Sequence, residues 1–243
     1  MMVKRLPVIA IDGPAGSGKS SVARKVAQKT GLHYINSGAM YRAVALTAIR
    51  EGIVPGDVNR IVQIASSLEM SFSLDRIGSI RTYIADEDIT DKISGSQVAE
   101  MASIIAMYPE LREQLVKSQQ QMGEEGGVIM EGRDIQTVVF PKAEIKIFLT
   151  ASVEERAMRR WKEHSDKGEY ITYKEVLNDV TERDKRDEER EASPLKASDD
   201  AILLKSDGKT LEQVVDLIVK VYEIHRKRPD IKGKALGKAA GIV

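Results

Sequence analysis

The stretch PVIAIDGPAGSGKSSVARKVAQKTG, residues 7–31, decides the fold. Its opening, PVIAID, is a short apolar run rich in branched residues, and such a run ending at a glycine reads as a buried strand. Its close, KSSVARKVAQKTG, places Val22, Ala23, Val26 and Ala27 on one helical face, with Gly31 as the stop. Between them GPAGSGKS (13–20) fits G-x-x-x-x-G-K-[ST]. The pattern alone arises by chance, but here it follows a strand and opens a helix, the context in which it cradles phosphate. The glycines let backbone N–H groups turn inward around phosphate oxygens, and the helix start adds a field that favours anions. Lys19 would reach the β- and γ-phosphates and Ser20 would ligate Mg²⁺. A glycine-rich turn that binds nothing has no use for either residue.

Working outward, LHYIN (32–36) reads as a second strand, and Ser37 as the cap of a helix carrying Met40, Val44, Ala48 and Ile49 to Gly52. Asp57 caps another helix through Ile61, Ile64, Ala65 and Leu68. Between 69 and 93 the alternation predicts antiparallel strands with turns at Asp75–Gly78 and Asp86–Asp88. Helical patterns resume at 96–106 and 109–122, where Pro109 suits a first turn. GGVIMEG (126–132) and AEIKIFLTA (143–151) are further strands. Ser152 with Glu155, Thr172 with Glu175 and Thr210 with Gln213 form capping boxes for three more helices. AILLKSD (201–207) is a last strand. Strands alternating with helices predict an α/β fold with a parallel sheet. Beyond Tyr222 the pattern fades, and the tail is expected to be loose and dispensable for activity.

Composition narrows the classes. The 243 residues are 42% hydrophobic and 30% charged, enough for a proper core. No apolar run reaches about 18 residues, so no membrane span is expected. MMVKRLPVIAIDGP has too short an apolar stretch for a signal peptide. The absence of cysteine excludes disulfides and thiolate chemistry and fits a reducing compartment, so we expect a cytoplasmic protein. Net charge is zero, yet the tail 225–243 holds six Lys/Arg against one Asp. No basic stripe with interleaved aromatics appears elsewhere, which argues against a nucleic-acid groove.

A nucleoside triphosphate site leaves a switch GTPase, a motor or transporter ATPase, or a small-molecule kinase. A GTPase would read guanine with N-K-x-D after a late strand; the corresponding LKSD (204–207) has Leu204 in place of the Asn. An ATPase module would end an apolar run in Asp; GGVIMEG offers Glu131 near its end instead. The charged stretch VTERDKRDEEREASP (180–194) favours the kinase. A charge run is commonly a solvated helix side. Here, however, the apolar stripe of Val176 and Val180 continues into Arg183, Arg186, Asp187 and Arg190, with Asp184, Lys185, Glu188 and Glu189 facing outward. Arginine forks suit phosphate oxygens. With Arg156, Arg159 and Arg160 on the preceding helix, they look like a lid over a transferring phosphoryl group. Arg42, in NSGAMYRA (36–43), and Arg133 with Asp134, in EGRDIQT (131–137), point the same way, the latter just past a strand's carboxyl end.

With these elements in hand the chain resembles the bacterial cytidylate kinases, a group of nucleoside monophosphate kinases. The matching stretches are IAIDGPAGSGKS, NSGAMYRA, YPELRE, EGRDIQTVVFP, KIFLTAS followed by EERAMRRW, and ERDKRDEEREASPL, in order over about residues 7–225. The resemblance implies a five-stranded parallel sheet of order 2-3-1-4-5 with a small antiparallel β insertion and a helical lid. It implies transfer of the γ-phosphoryl of ATP to CMP or dCMP, with Mg²⁺ as cofactor and Ser20 as its protein ligand. The expected organisation is a P-loop core at 1–62, 98–152 and 196–225, a monophosphate-binding insertion at 63–97, a lid at 153–195 and a basic tail at 226–243. ATP would lie on Gly13, Pro14, Ala15, Gly16, Ser17, Gly18, Lys19, Ser20 and Ser21. Ser37, Arg42 and Arg133 would hold the acceptor phosphate; Ser103, Arg112 and Asp134 would read the cytosine edge. Arg183 and Asp187 would contact sugar and phosphate, Arg190 phosphate, and Lys19, Arg159 and Arg186 the transferring group. Glu131 stands where an Asp is common, and the tail has no counterpart. A monomer acting on small molecules is expected, with no membrane partner. The rival readings are another P-loop small-molecule kinase and a nucleotide-regulated RNA-binding protein that uses the tail.

Overall fold

Strands and helices alternate as the periodicities require. In the computed structural model, which describes residues 5–75 and 80–242, β1 (Ile9–Asp12) is wholly buried and runs into α1 (Lys19–Thr30). β2 (His33–Asn36) and α2 (Ser37–Arg50) follow, then α3 (Val58–Ser67). The antiparallel strands are β3 (Met70–Leu74), β4 (Ile80–Ile84) and the short β5 (Glu87–Asp88). Next come α4 (Ser96–Ile105), α5 (Pro109–Met122), β6 (Val128–Gly132) and β7 (Ile145–Thr150). The chain closes with α6 (Val153–Asp166), α7 (Tyr173–Glu189), β8 (Ile202–Lys205), α8 (Leu211–Lys227) and α9 (Gly233–Ala240).

Two sheets result: one of five strands ordered β2-β6-β1-β7-β8, and one of three ordered β3-β4-β5. The labels differ from the expected 2-3-1-4-5 because the antiparallel strands take numbers three to five. β1 lies parallel to both β6 and β7, and β8 parallel to β7. In this register Asp12 stands beside Gly132 and Phe148, so the loops after β1, β6 and β7 leave from one edge of the sheet. That edge is where open α/β sheets hold ligands.

The chain divides into two compact units, residues up to His33 with 127–243, and residues 34–126. The expected boundaries at 62/63 and 97/98 therefore move. The physical reason is a common core: Met70, Phe72 and Ile84 of the small sheet pack against a cluster that includes Met40, Val44, Ile61, Ile105 and Leu111. The antiparallel strands are thus part of a larger helical unit. In the first unit, α6 and α7 form a hairpin around its own small cluster of Ala157, Val176 and Val180, with Trp161 and Leu177 against it.

Several local expectations need correction. Asn36, not Ser37, caps α2, its Oδ1 accepting the Ala39 N–H at 3.0 Å. Asn holds a cap as well as Ser does, and Ser37 becomes the first helical residue. The second turn of the small sheet is centred on Ala85–Asp86, with Ala85 at φ 48. The first, Asp75–Gly78, lies largely outside the described residues. On α7, Asp184 is turned inward and Arg186 outward, because 3.6 residues per turn carry the stripe through 183, 184 and 187 rather than 186.

The tail is the largest correction. α8 continues to Lys227, and α9 buries Leu236, Gly237 and Ala240, with Ile242 buried just past its end. A Cβ on Gly237 would stand 2.8 Å from the Ile202 side chain, so α9 sits directly on edge strand β8. Its lysines at 232, 234 and 238 stay in water. Burial of the Leu236 and Ile242 side chains favours the docked tail and works against the entropy lost in ordering it. Deleting 229–243 is expected to lower the thermal midpoint, by about 2–4 °C for each kcal/mol lost in a chain of this size, with turnover at 25 °C retained. A midpoint unchanged in calorimetry would mean that α9 contributes nothing to the fold.

Candidate active site

The phosphate loop begins where β1 ends. A Cβ on Gly13 would stand 1.9 Å from the Leu149 carbonyl oxygen, so only glycine lets the chain leave the sheet there. Gly16 and Gly18 have φ of 76 and 91, left-handed values that turn the loop back on itself. Gly18 precedes α1 with no side-chain cap, leaving the helix's first N–H groups for an anion. Lys19 folds back across the loop, its Nζ donating to Pro14 O at 2.8 Å. Burial pushes its ammonium down to about 7, and Arg133 adds to that, while Glu131, Asp12 and Asp187 oppose it. A bound polyphosphate would supply the missing counter-charge. Ser20 Oγ donates to Glu131 Oε1 at 2.7 Å, which joins the helix start to β6.

The turn after β6 is held from below by Asp12. Its Oδ1 accepts the Ile135 N–H at 3.0 Å and its Oδ2 the Gln136 N–H at 2.8 Å, capping a π-helical turn at Ile135–Val139. Burial pushes the Asp12 carboxyl up to about 6, although both N–H bonds draw it down. This capped turn fixes Arg133 and Asp134 at the sheet edge. Arg133 Nε donates to Asp187 Oδ2 on α7 at 2.7 Å, and Arg133 Nη1 to Gly132 O at 3.3 Å. Burial alone would raise the Asp187 carboxyl, but Arg133, Arg183 and Arg190 outweigh it and hold it below the usual range. Arg190 Nε donates to Ser193 O at 2.6 Å, and its Nη1 lies 3.9 Å from Asp187 Oδ1.

The three arginines of α6 have different fates. Arg156 is buried and bonds Ala151 O, Ala15 O and Asp184. Arg159 donates to both the carbonyl and the hydroxyl of Ser206 at 3.1 Å, reaches Ser17 O at 3.5 Å, and pairs with Glu155. Its fork lies against the phosphate loop and the end of β8. Arg160 is half-buried, and Arg186 on α7 is exposed. Ser206, itself buried, donates its backbone N–H to Thr150 O at 2.8 Å, and its hydroxyl lies 3.4 Å from Ser17 O. The next residue, Asp207, accepts the Ser152 N–H at 2.8 Å and so ties the end of β8 to the start of α6.

In the second unit, Ser37 is buried at the start of α2, and Arg42 and Ser103 are half-buried on α2 and α4. Arg112 is buried, donating from Nη1 to Ala106 O at 3.0 Å. Its guanidinium stands over the Tyr41 ring, 5.6 Å from its centre, a cation–π distance.

Sequence reasoning did not single out Asp12, Tyr41, Asp184 or Ser206 as parts of the site. Asp12 carried a signal, being the one charge in the strand that leads into the loop. Tyr41 and Ser206 carried none, because their partners are distant in sequence.

Comparison with known proteins agrees with this construction. The family model for cytidylate kinase matches residues 9–224. A cytidylate kinase of Streptococcus suis is 46% identical over 210 residues, covering 86% of this chain and 93% of the relative. That of Pelotomaculum thermopropionicum is 46% identical over 213 residues, covering 88% and 94%. That of Bacillus licheniformis is 43% identical over 222 residues, covering 91% and 98%. The matched span takes in the phosphate loop, the Arg133–Asp134 turn and both arginine helices, and stops short of α9. The chain belongs to the cytidylate kinase family.

Proposed function

We propose that this chain transfers the γ-phosphoryl group of ATP to CMP or dCMP, giving ADP and CDP or dCDP. The observation that carries the reading is the family match over residues 9–224, which spans every element of the site. An acceptor phosphate oxygen attacks the γ-phosphorus in line as the bond to the β–γ bridging oxygen breaks. The attacking group is already anionic, so no general base is required, and none is assigned. The work is positioning and charge neutralisation.

Gly13 to Ser21 hold the donor phosphates through backbone N–H groups, and Lys19 neutralises charge on the β- and γ-oxygens. Arg186 and Arg159 serve the transferring group. Arg186 is exposed and can swing in, whereas Arg159 must give up Ser206 to do so. Ser37, Arg42 and Arg133 hold the acceptor phosphate, with Arg190 and Arg183 on phosphate and sugar beside Asp187. Ser103, Arg112 and Asp134 read the base. The Ser20 hydroxyl, backed by the Glu131 carboxylate, fits the hard oxygen donors that Mg²⁺ takes alongside nucleotide phosphates, where the ion would neutralise charge between the β- and γ-groups. Closure of the α6–α7 hairpin excludes water that would otherwise hydrolyse ATP. No helix among the described residues is long and apolar enough to cross a membrane. A cytoplasmic monomer completes the proposal.

The test is a coupled assay of ADP release across AMP, GMP, UMP, CMP and dCMP. Turnover with CMP and dCMP well above the rest is expected. Equal turnover with all five, or none with CMP, would sink the substrate reading.

A further inference from the structure

We propose that Arg156 and Asp184 are positioning residues that couple the phosphate loop to α7, so that a donor nucleotide on the loop tightens the grip on the acceptor. The proposal rests on the phosphotransferase reading above.

The Arg156 guanidinium is buried, and each of its nitrogens already has a protein partner. Nε donates to Ala151 O at 3.0 Å, Nη1 to Ala15 O at 3.1 Å, and Nη2 lies 2.6 Å from Asp184 Oδ2. Ala15 is in the crest of the phosphate loop, and that crest rests on α6: a Cβ on Gly16 would stand 3.1 Å from both Arg156 Cβ and Arg156 O. One helical turn beyond Asp184 on α7 is Asp187, whose Oδ2 accepts from Arg133 Nε at 2.7 Å. A continuous chain thus runs from Ala15 O through Arg156, Asp184, one turn of α7 and Asp187 to Arg133. Its first member belongs to the loop for the donor phosphates. Its last is the arginine assigned to the acceptor phosphate.

Stability is a poor account of this pair. A buried ion pair recovers in attraction about what it loses in desolvation, and apolar side chains would hold the hairpin as well. The hairpin already has apolar packing of its own through Ala157, Val176 and Val180. Asp184 Oδ1 is buried with no hydrogen-bond partner among the described residues, an added cost that a purely structural contact does not need. What the pair does supply is geometry. A planar fork fixes Asp184 relative to the loop backbone, and a single helical turn is stiff. Any shift of the loop crest on binding phosphate therefore reaches Asp187 and the orientation of Arg133. The two-state element is α7, seated on or released from Arg156.

The test uses the full chain and equilibrium titration with CMP, with and without a saturating non-hydrolysable ATP analogue and Mg²⁺. In the wild type the analogue is expected to tighten CMP by about five- to tenfold. Asp184→Asn keeps the shape of the side chain and drops its charge. Arg156→Lys keeps the charge and cannot reach three partners. In each, the ratio of the two CMP dissociation constants is expected to fall to within about twofold of one, and the double variant is expected to fall no further. A structural role alone would weaken CMP equally in both titrations and leave the ratio intact. A wild-type ratio near one, or a wild-type ratio in folded Asp184→Asn, overturns the proposal. If Arg156→Lys does not fold, Asp184→Asn alone decides. Failure of the wild type to bind CMP at all overturns the substrate reading, and this proposal with it.

Discussion

Replacing Lys19 by alanine is expected to lower turnover by about 10³-fold or more, because a preorganised charge aimed at the transferring oxygens is lost. The fold should survive with undiminished stability near neutral pH, and the sign follows from the titration. A lysine brought from 10.5 to about 7 by burial must shed its proton or be held charged at a cost when the chain folds. That penalty is absent above about pH 10.5, grows as pH falls at about 1.4 kcal/mol per unit, and is complete below about 7. The variant does not carry it. Its stability relative to wild type should therefore rise as pH is lowered from 10 to 7, offset by the packing lost. Binding of ATP restores the charge, so above about pH 7 the wild type should take up protons as ATP binds, seen as a buffer-dependent heat in calorimetry. Lys19→Ala should take up none. Wild-type turnover in the variant would remove the donor site from the loop.

The same lysine shows what the sequence could disclose. Strand, loop and helix at 7–31 are read from local pattern, since an apolar run, a glycine-rich turn and a helical stripe each show within a few residues. The capped starts of α6, α7 and α8 are equally local: Ser152, Thr172 and Thr210 each accept the N–H three residues on. Legibility ends where partners are far apart. Asp12 reads as the last residue of a strand, yet its carboxylate holds a turn more than a hundred residues away. Asp184 reads as an outward charge because steps of three from Val180 run through Arg183 and Arg186; Arg156 draws Asp184 inward. Arg159 reads as a free lid arginine, but Ser206, on the loop after β8, occupies its fork. The tail looked formless because α9 has only Leu236, Ala240 and Ile242 to mark a face. Its docking depends on a glycine, Gly237, fitting against Ile202. A missing side chain leaves no trace in a hydropathy pattern.

Asp134→Ala is expected to reduce kcat/KM with CMP and, more tellingly, to collapse the preference for CMP over UMP. Cytosine presents an N4 amino donor where uracil presents an O4 acceptor, and its N3 accepts where uracil N3–H donates. An Asp134 carboxylate accepting from N4 and an Arg112 guanidinium donating to N3 suit cytosine. Uracil would meet acceptor with acceptor and donor with donor. A buried polar group left unpaired costs about 1–3 kcal/mol, more when charged, so two mismatches disfavour UMP by on the order of 10³-fold. Each group is held firmly within its own unit. Asp134 is only 6% exposed and stands on a turn whose backbone is pinned by Asp12, so removing its side chain leaves the turn in place. Arg112 is 4% exposed and is held by Ala106 O and the Tyr41 ring. Alanine at 134 removes the repulsion toward uracil along with the attraction toward cytosine. CMP should therefore lose more than UMP, and the ratio of the two kcat/KM values should fall by roughly tenfold or more, the worth of one such mismatch. Measuring both substrates on both proteins, with the thermal midpoint as a check on folding, isolates the effect. An unchanged CMP/UMP ratio in folded Asp134→Ala would place base recognition on other residues and leave Asp134 as part of the turn alone.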